Sequence, residues 1–189
     1  LWFLQMMAPH MTAYHIAGLV LFEEDIDAQK LETSLQIIIN EQPALRSCFP
    51  TQDNIPYAII KPPQTSCMDR VTVQSVNFTE YAAEYIKQPF DLTKGPLYRF
   101  ILFDSTTGEK ALLICIHHII FDGTSAQIFF KRLVTNYRTL VNNQKIIPAH
   151  NNDVMHYFDF TAWQTHCLQP TINKQLKFWQ KRLKNLPAS

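Results

Sequence analysis

An α/β sandwich built on a mixed β-sheet flanked by helices is the fold class that the sequence predicts, and three observations predict it. Short runs rich in β-branched and aromatic residues alternate with longer segments of helical period. Two of the runs, LYRFILFD and ALLICIHHI, are joined by STTGEK, which reads as a hairpin with Gly108 in the turn. Hydrophobic residues make up 47% of the 189, enough to pack a core in one domain or one lobe.

The elements follow in order. YHIAGLVLF, residues 14–22, is apolar nearly throughout and predicts a strand buried on both faces. Asp27 can cap a helix in which Ala28, Leu31, Leu35, Ile38 and Ile39 share a face, and Pro43 stops it. LRSCF, IPYAII and VTVQSV, at 45–49, 55–60 and 71–76, predict strands separated by Pro, Asn and Asp. A second helix spans about Thr79 to Gln88 and is closed by Pro89. The hairpin follows, so its double histidine falls at a strand's C-terminal end.

After Gly123 the spacing of Ile128, Phe129, Leu133, Val134, Tyr137, Leu140 and Val141 predicts a third long helix, with Thr124 or Ser125 able to cap it. The polar stretch NNQKIIPAHNND then precedes two helices near Tyr157 to Cys167 and Thr171 to Asn185. The last of these carries Leu176, Trp179, Leu183 and Leu186 on one face.

Lysine and arginine number 17 against 16 acids, with no basic run of the kind that tracks a phosphate backbone, so nucleic acid is not an expected partner. No apolar run approaches the ~20 residues of a spanning helix, so no membrane partner is expected either. Cysteines 48, 67, 115 and 167 form no close pair, which argues against a zinc knuckle or a disulfide framework and favours a reduced cytoplasm. The opening LWFLQ lacks a basic stretch and a cleavage site and does not read as a signal peptide.

The unusual feature is CIHHIIFDGTSAQIFF, 115–130. Successive strand residues face opposite ways, so His117 and His118 cannot both look into one cleft: one is expected to be reactive and one structural. A neutral imidazole accepts a proton near cytosolic pH, which makes acyl transfer the natural chemistry. GxSxG is absent, and no Ser, Cys or Lys stands in a nucleophile-elbow context, so direct attack is expected and not a covalent acyl-enzyme.

With four glycines in the chain, Gly123 is expected to mark a place where a side chain would obstruct something. Asp122 is either an acid-base partner of His118 or a loop anchor paired with a buried arginine, for which Arg46 in LRSCF is the candidate. The histidines show neither HxH on a strand nor HExxH on a helix, so no metal is expected.

These residues carry a resemblance. HHIIFDGTS, 117–125, is similar to the HHxxxDGxS signature of the condensation domains of nonribosomal peptide synthetases. LWFLQ (1–5), ALRSCF (44–49), PFDLTKGPLYR (89–99), YFDFTAWQ (157–164) and QLKFWQKRLKNLP (175–187) resemble further segments of that family, in order.

The resemblance implies that residues 1–189 are the N-terminal lobe of such a domain, with a chloramphenicol-acetyltransferase-like fold of two lobes and an active site in the tunnel between them. It implies amide bond formation between a donor acyl or peptidyl thioester and the amine of an acceptor aminoacyl thioester. Both would be carried on phosphopantetheine arms of peptidyl carrier proteins, beside an adenylation domain, with no cofactor bound by the lobe itself. It assigns catalysis to His118 and a structural role to Asp122, paired with an arginine at the position of Arg46. His117, Gly123 and Ser125 complete the signature.

An α-amino group has a reference pKa of about 7.7 to 8.0, so strong base is not required. Backbone N–H groups at the start of the helix after Gly123 are expected to help with developing negative charge. His117 in place of Asp argues against a heterocyclisation variant, and Ala126 in place of Trp against an epimerisation variant. EQPALR departs from the family in lacking its usual His-Glu. A non-catalytic module recruiting carriers or tailoring enzymes is the rival reading, disfavoured because His117, His118, Asp122, Gly123 and Ser125 all stand.

Overall fold

The structure, a computed structural model, describes residues 1–63, 65–146, 155–168 and 170–184. The chain divides into a unit of residues 1–150 and a unit of residues 151–189.

In the first unit a short helix α1 (Trp2–Met7) precedes strand β1 (His15–Phe22) and helix α2 (Ala28–Glu41). The Asp27 carboxylate accepts from the N–H groups of Gln29 and Lys30, so the cap expected from sequence is in place. A 3₁₀ turn (Pro43–Arg46) and four two-residue strands follow: β2 (Ser47–Cys48), β3 (Thr51–Gln52), β4 (Ile55–Pro56) and β5 (Ile59–Ile60). Then come β6 (Met68–Val73), α3 (Phe78–Ile86), β7 (Tyr98–Ser105), β8 (Lys110–His117) and α4 (Gly123–Val141). The turn between β7 and β8 needs Gly108, whose φ is +103°.

Among the described residues the main sheet has four strands in the order β1-β8-β7-β6. β8 is antiparallel to both β1 and β7, while β6 and β7 run parallel across the α3 crossover, so the sheet is mixed. Strand alternation distributes the core. Tyr98, Phe100, Leu102, Leu112, Ile114 and Ile116 face α2 and α4, whereas Ile101, Phe103, Leu113 and Cys115 face α3. The result is helix, sheet, helix, as predicted.

Several expectations fail locally. IPYAII is not one strand but β4 and β5, which pair in different small sheets, and the strand expected at 71–76 runs from Met68 to Val73. β1 is not buried on both faces: it is an edge strand paired only with β8, and Ala17, Gly18 and Leu21 are exposed. An apolar run records composition but not which strands lie beside it. Leu45 and Arg46 belong to the 3₁₀ turn and not to a strand, because Pro43 at its start presets helical φ.

The second unit holds α5 (Tyr157–Leu168) and α6 (Ile172–Leu183), close to the helices expected. Leu176, Trp179 and Leu183 lie along one face of α6 and are exposed. Asn185, Leu186 and residues 147–153 of the polar stretch lie outside the described residues. Among the described residues no helix is long and apolar enough to cross a membrane.

Candidate active site

β8 ends at His117 and α4 begins at Gly123, so the five residues between them form a turn at one end of the sheet. The two histidines are separated, His117 as the last residue of the strand and His118 as the first of the turn. His117 is 0% exposed and lies opposite His15 of β1, while His118 is exposed.

His117 is held on three sides. Its backbone N–H donates to Leu97 O at 2.9 Å. Its Nδ1 accepts from the N–H of Ile119 at 3.0 Å, and its Nε2 lies 3.3 Å from Oε1 of Gln5. A nitrogen that accepts from an amide carries no proton, so the ring is neutral with its proton on Nε2. Burial, with the nearby His15 and His118 adding to it, pulls the His117 pKa down to about 4.

His15 is of the same kind. Its Nδ1 donates to Ile86 O at 2.9 Å, its ring meets Phe90 edge-on at 4.7 Å, and its Nε2 is buried without a partner among the described residues. Burial lowers its pKa, the Ile86 carbonyl opposes that, and the positive charge of Arg99 adds to the fall.

His118 is arranged for the opposite purpose. Its backbone N–H donates to Tyr14 O at 2.8 Å, and its Nδ1–H donates to Phe121 O at 2.8 Å. A proton fixed on Nδ1 leaves the lone pair on Nε2, and Nε2 has no partner among the described residues. The ring is therefore oriented, with Nε2 left to an exposed position.

Asp122 does not pair with Arg46. Its carboxylate caps α4, accepting from the N–H and the hydroxyl of Ser125, each at 2.7 Å. Those two bonds, with the Thr124 N–H and the charge of His118 as smaller contributors, hold its pKa below the usual carboxylate value. The cap is Asp122 itself and not Thr124 or Ser125; its extended backbone and short carboxylate meet the free N–H groups at the start of the helix. Of the N–H groups at the start of α4, that of Ser125 is thus taken by the carboxylate and that of Ala126 by the Asp122 carbonyl.

Arg46 turns the other way. Its guanidinium donates to the carbonyls of Ile39, Asn40 and Lys61, closing the C-terminal end of α2, where free carbonyls attract a cation. At Gly123 an added Cβ would meet no atom of the described residues within 4 Å.

The buried ion pair sought beneath the motif exists between other residues. Glu41 at the end of α2, 6% exposed, receives Nε and Nη2 of Arg132 from α4 at 3.1 and 2.7 Å. This fork-to-fork contact is the strong form of an arginine–carboxylate pair. An apolar cavity of about 100 Å³ lies beside it, lined by residues that include Ile38, Leu45, Phe121, Ser125 and Phe129. Neither Gln5 nor the Glu41–Arg132 pair stood out in the sequence, because their partners lie 112 and 91 residues away. Among the described residues no group of three His, Cys, Asp or Glu is placed to hold a metal.

A mixed-sheet α/β unit presenting an oriented histidine on a strand-to-helix turn is an acyltransferase-type scaffold. The chain belongs to the Condensation domain family, whose match spans residues 1–189. It is 30% identical over 191 residues to a linear gramicidin synthase of Brevibacillus parabrevis, a match that covers 97% of this chain and 2% of that protein. It is 31% identical over 187 residues to polyketide synthase PksN of Bacillus subtilis (strain 168), a match that covers 97% of this chain and 3% of that protein.

The fold matches the X-domain solved in complex with OxyB from teicoplanin biosynthesis at a TM-score of 0.86 and 22% identity, over 98% of this chain and 42% of that one. It matches the starter condensation domain of rhizomide synthetase RzmA at 0.79 and 23%, over 98% and 46%. The chain thus spans a few hundredths of those curated relatives and under half of the solved ones.

Proposed function

We propose that this chain supplies the histidine-bearing lobe of a domain that forms an amide bond between two carrier-bound thioesters. The observation that carries the reading is the exposed His118 ring, whose Nδ1–H is committed to Phe121 O while Nε2 has no partner among the described residues. The acceptor amine nitrogen attacks the donor thioester carbonyl as Nε2 of His118 orients the amine and receives its proton. The tetrahedral adduct then expels the thiolate, and the proton passes from the imidazolium to the sulfur, so the C–N bond forms as the C–S bond breaks.

The thioester brings its own activation, so this step calls on no metal or cofactor bound by the lobe; phosphopantetheine belongs to the donor and acceptor carriers. Likeness to the X-domain leaves a recruiting module as the second reading, and the free Nε2 of His118 favours catalysis over it.

Two carrier proteins loaded with donor and acceptor, presented to the intact two-lobed domain, test this. His118→Ala is expected to lower amide formation about 10²- to 10⁴-fold while carrier binding stays as in the parent. A loss confined to carrier affinity supports recruitment instead. The 189 residues alone are expected to give no turnover, since the fold matches cover less than half of each solved chain. Gly123 and Ser125 support the site as the first turn of α4.

A further inference from the structure

We propose that Gln5 is a positioning residue: its carboxamide fixes which nitrogen of His117 carries the proton, and through the Ile119 N–H it holds the turn that presents His118. Gln5 is 1% exposed although it sits on a six-residue helix at the start of the chain. Burying a primary amide is costly unless each of its groups is matched. Here they are. The two N–H bonds of Nε2 go to Pro9 O and Met11 O, both at 3.1 Å. That leaves Oε1 as the atom facing His117. The reverse orientation would set an oxygen against two carbonyls, so the amide has one arrangement.

An oxygen facing Nε2 of His117 requires a proton there. Nδ1 is then bare and receives the Ile119 N–H at 3.0 Å. Ile119 follows His118 directly, and Ile120 N–H closes the turn onto His117 O at 3.1 Å. The same amide also holds the segment before Tyr14, whose carbonyl takes the His118 N–H. Gln5 thus reaches the exposed ring by two routes without touching it. With His117 fully buried, no solvent can replace the missing acceptor.

The structural part of this proposal stands by itself, and its kinetic part rests on the reading of His118 given above. Gln5→Met keeps the shape of the side chain and removes all three bonds. Nitrogen-15 NMR of the His117 ring in this chain is expected to move from the Nε2–H form toward the Nδ1–H form, with faster hydrogen exchange at Ile119. In the intact domain kcat is expected to fall about 10- to 100-fold, as for a misplaced group, with KM for both carriers unchanged.

Gln5→Glu keeps an oxygen for His117 and loses the two donors, so it is expected to retain the Nε2–H form and more kcat than Gln5→Met. An unaltered His117 tautomer in Gln5→Met overturns the proposal, whatever the rate. So does an altered tautomer with unaltered kcat. Should Gln5→Met fail to fold, an Nδ1–H form in Gln5→Glu overturns it equally. An intact parent domain that makes no amide sinks the functional reading and leaves the tautomer to decide this one.

Discussion

The two halves of HHIIFDG are held in opposite ways. The first half is fixed from below: His117 is closed in by Gln5, Leu97 and Ile119, and His15 lies against it. The second half is open: His118, Asp122 and Ser125 bond almost wholly within their own turn, and Asp122 is exposed. Polar burial is concentrated on the histidine that faces the interior, and the one that faces outward has its tautomer set by a single carbonyl. The His118 ring itself makes one hydrogen bond among the described residues, so the constraint on its position comes from its neighbours. The open half has a second anchor two turns into α4, where Arg132 meets Glu41.

That anchor gives the largest expected effect. Glu41→Ala removes the partner of a largely buried guanidinium, and breaking such a pair costs ~3 kcal/mol or more, with Arg132 at 27% exposure placing the value toward the lower end. A melting temperature about 6 to 12 °C lower is expected. If the halves are held independently, the His117 ring tautomer stays as in the parent while amide exchange rises in the first turns of α4. Loss of both together would break the comparison.

Acid gives the next effect and falls on the closed half. The His117 pKa is about 4 in the fold against 6.5 ordinarily. Above pH 6.5 both folded and unfolded chains carry the ring neutral. As pH falls from about 6.5 to 4, the unfolded chain takes up a proton that the fold refuses, so stability is lost across that window, by about 3 kcal/mol in full. The lowered pKa of His15 acts in the same direction. Denaturant midpoints between pH 7 and pH 4 check this, and a flat profile would show that His117 is not closed in. His117→Gln is expected to flatten the profile while lowering stability at pH 7.

What the sequence showed of this arrangement was local. The β7–β8 hairpin, the helices and the opposed histidines follow from period, turn glycine and strand alternation over a few residues. The fold class was legible for that reason. The partner of Arg46 was not, since a guanidinium in an apolar setting satisfies itself as well on carbonyls as on a carboxylate, and the open end of α2 lay nearer. The edge position of β1 was hidden likewise, because pairing is a property of strands far apart in sequence. Gln5 carried no signal beyond its place in a family-like segment, as a lone glutamine on a short apolar helix has no period to betray it.

The smallest effect belongs to Asp122 and decides how the open half is built. Its carboxylate meets the Ser125 N–H and hydroxyl and no arginine. Asp122→Ala therefore removes an N-cap, at ~1 kcal/mol, or a melting temperature about 2 to 4 °C lower. Arg46→Ala strips two carbonyls at the end of α2 and that of Lys61 after β5, a separate loss with no shared partner. The two replacements are expected to add within ~0.5 kcal/mol in the double variant. A less-than-additive loss would show the two charges coupled after all. Asp122→Asn keeps a capping oxygen and is expected to melt close to the parent, because the cap needs an acceptor more than it needs a charge.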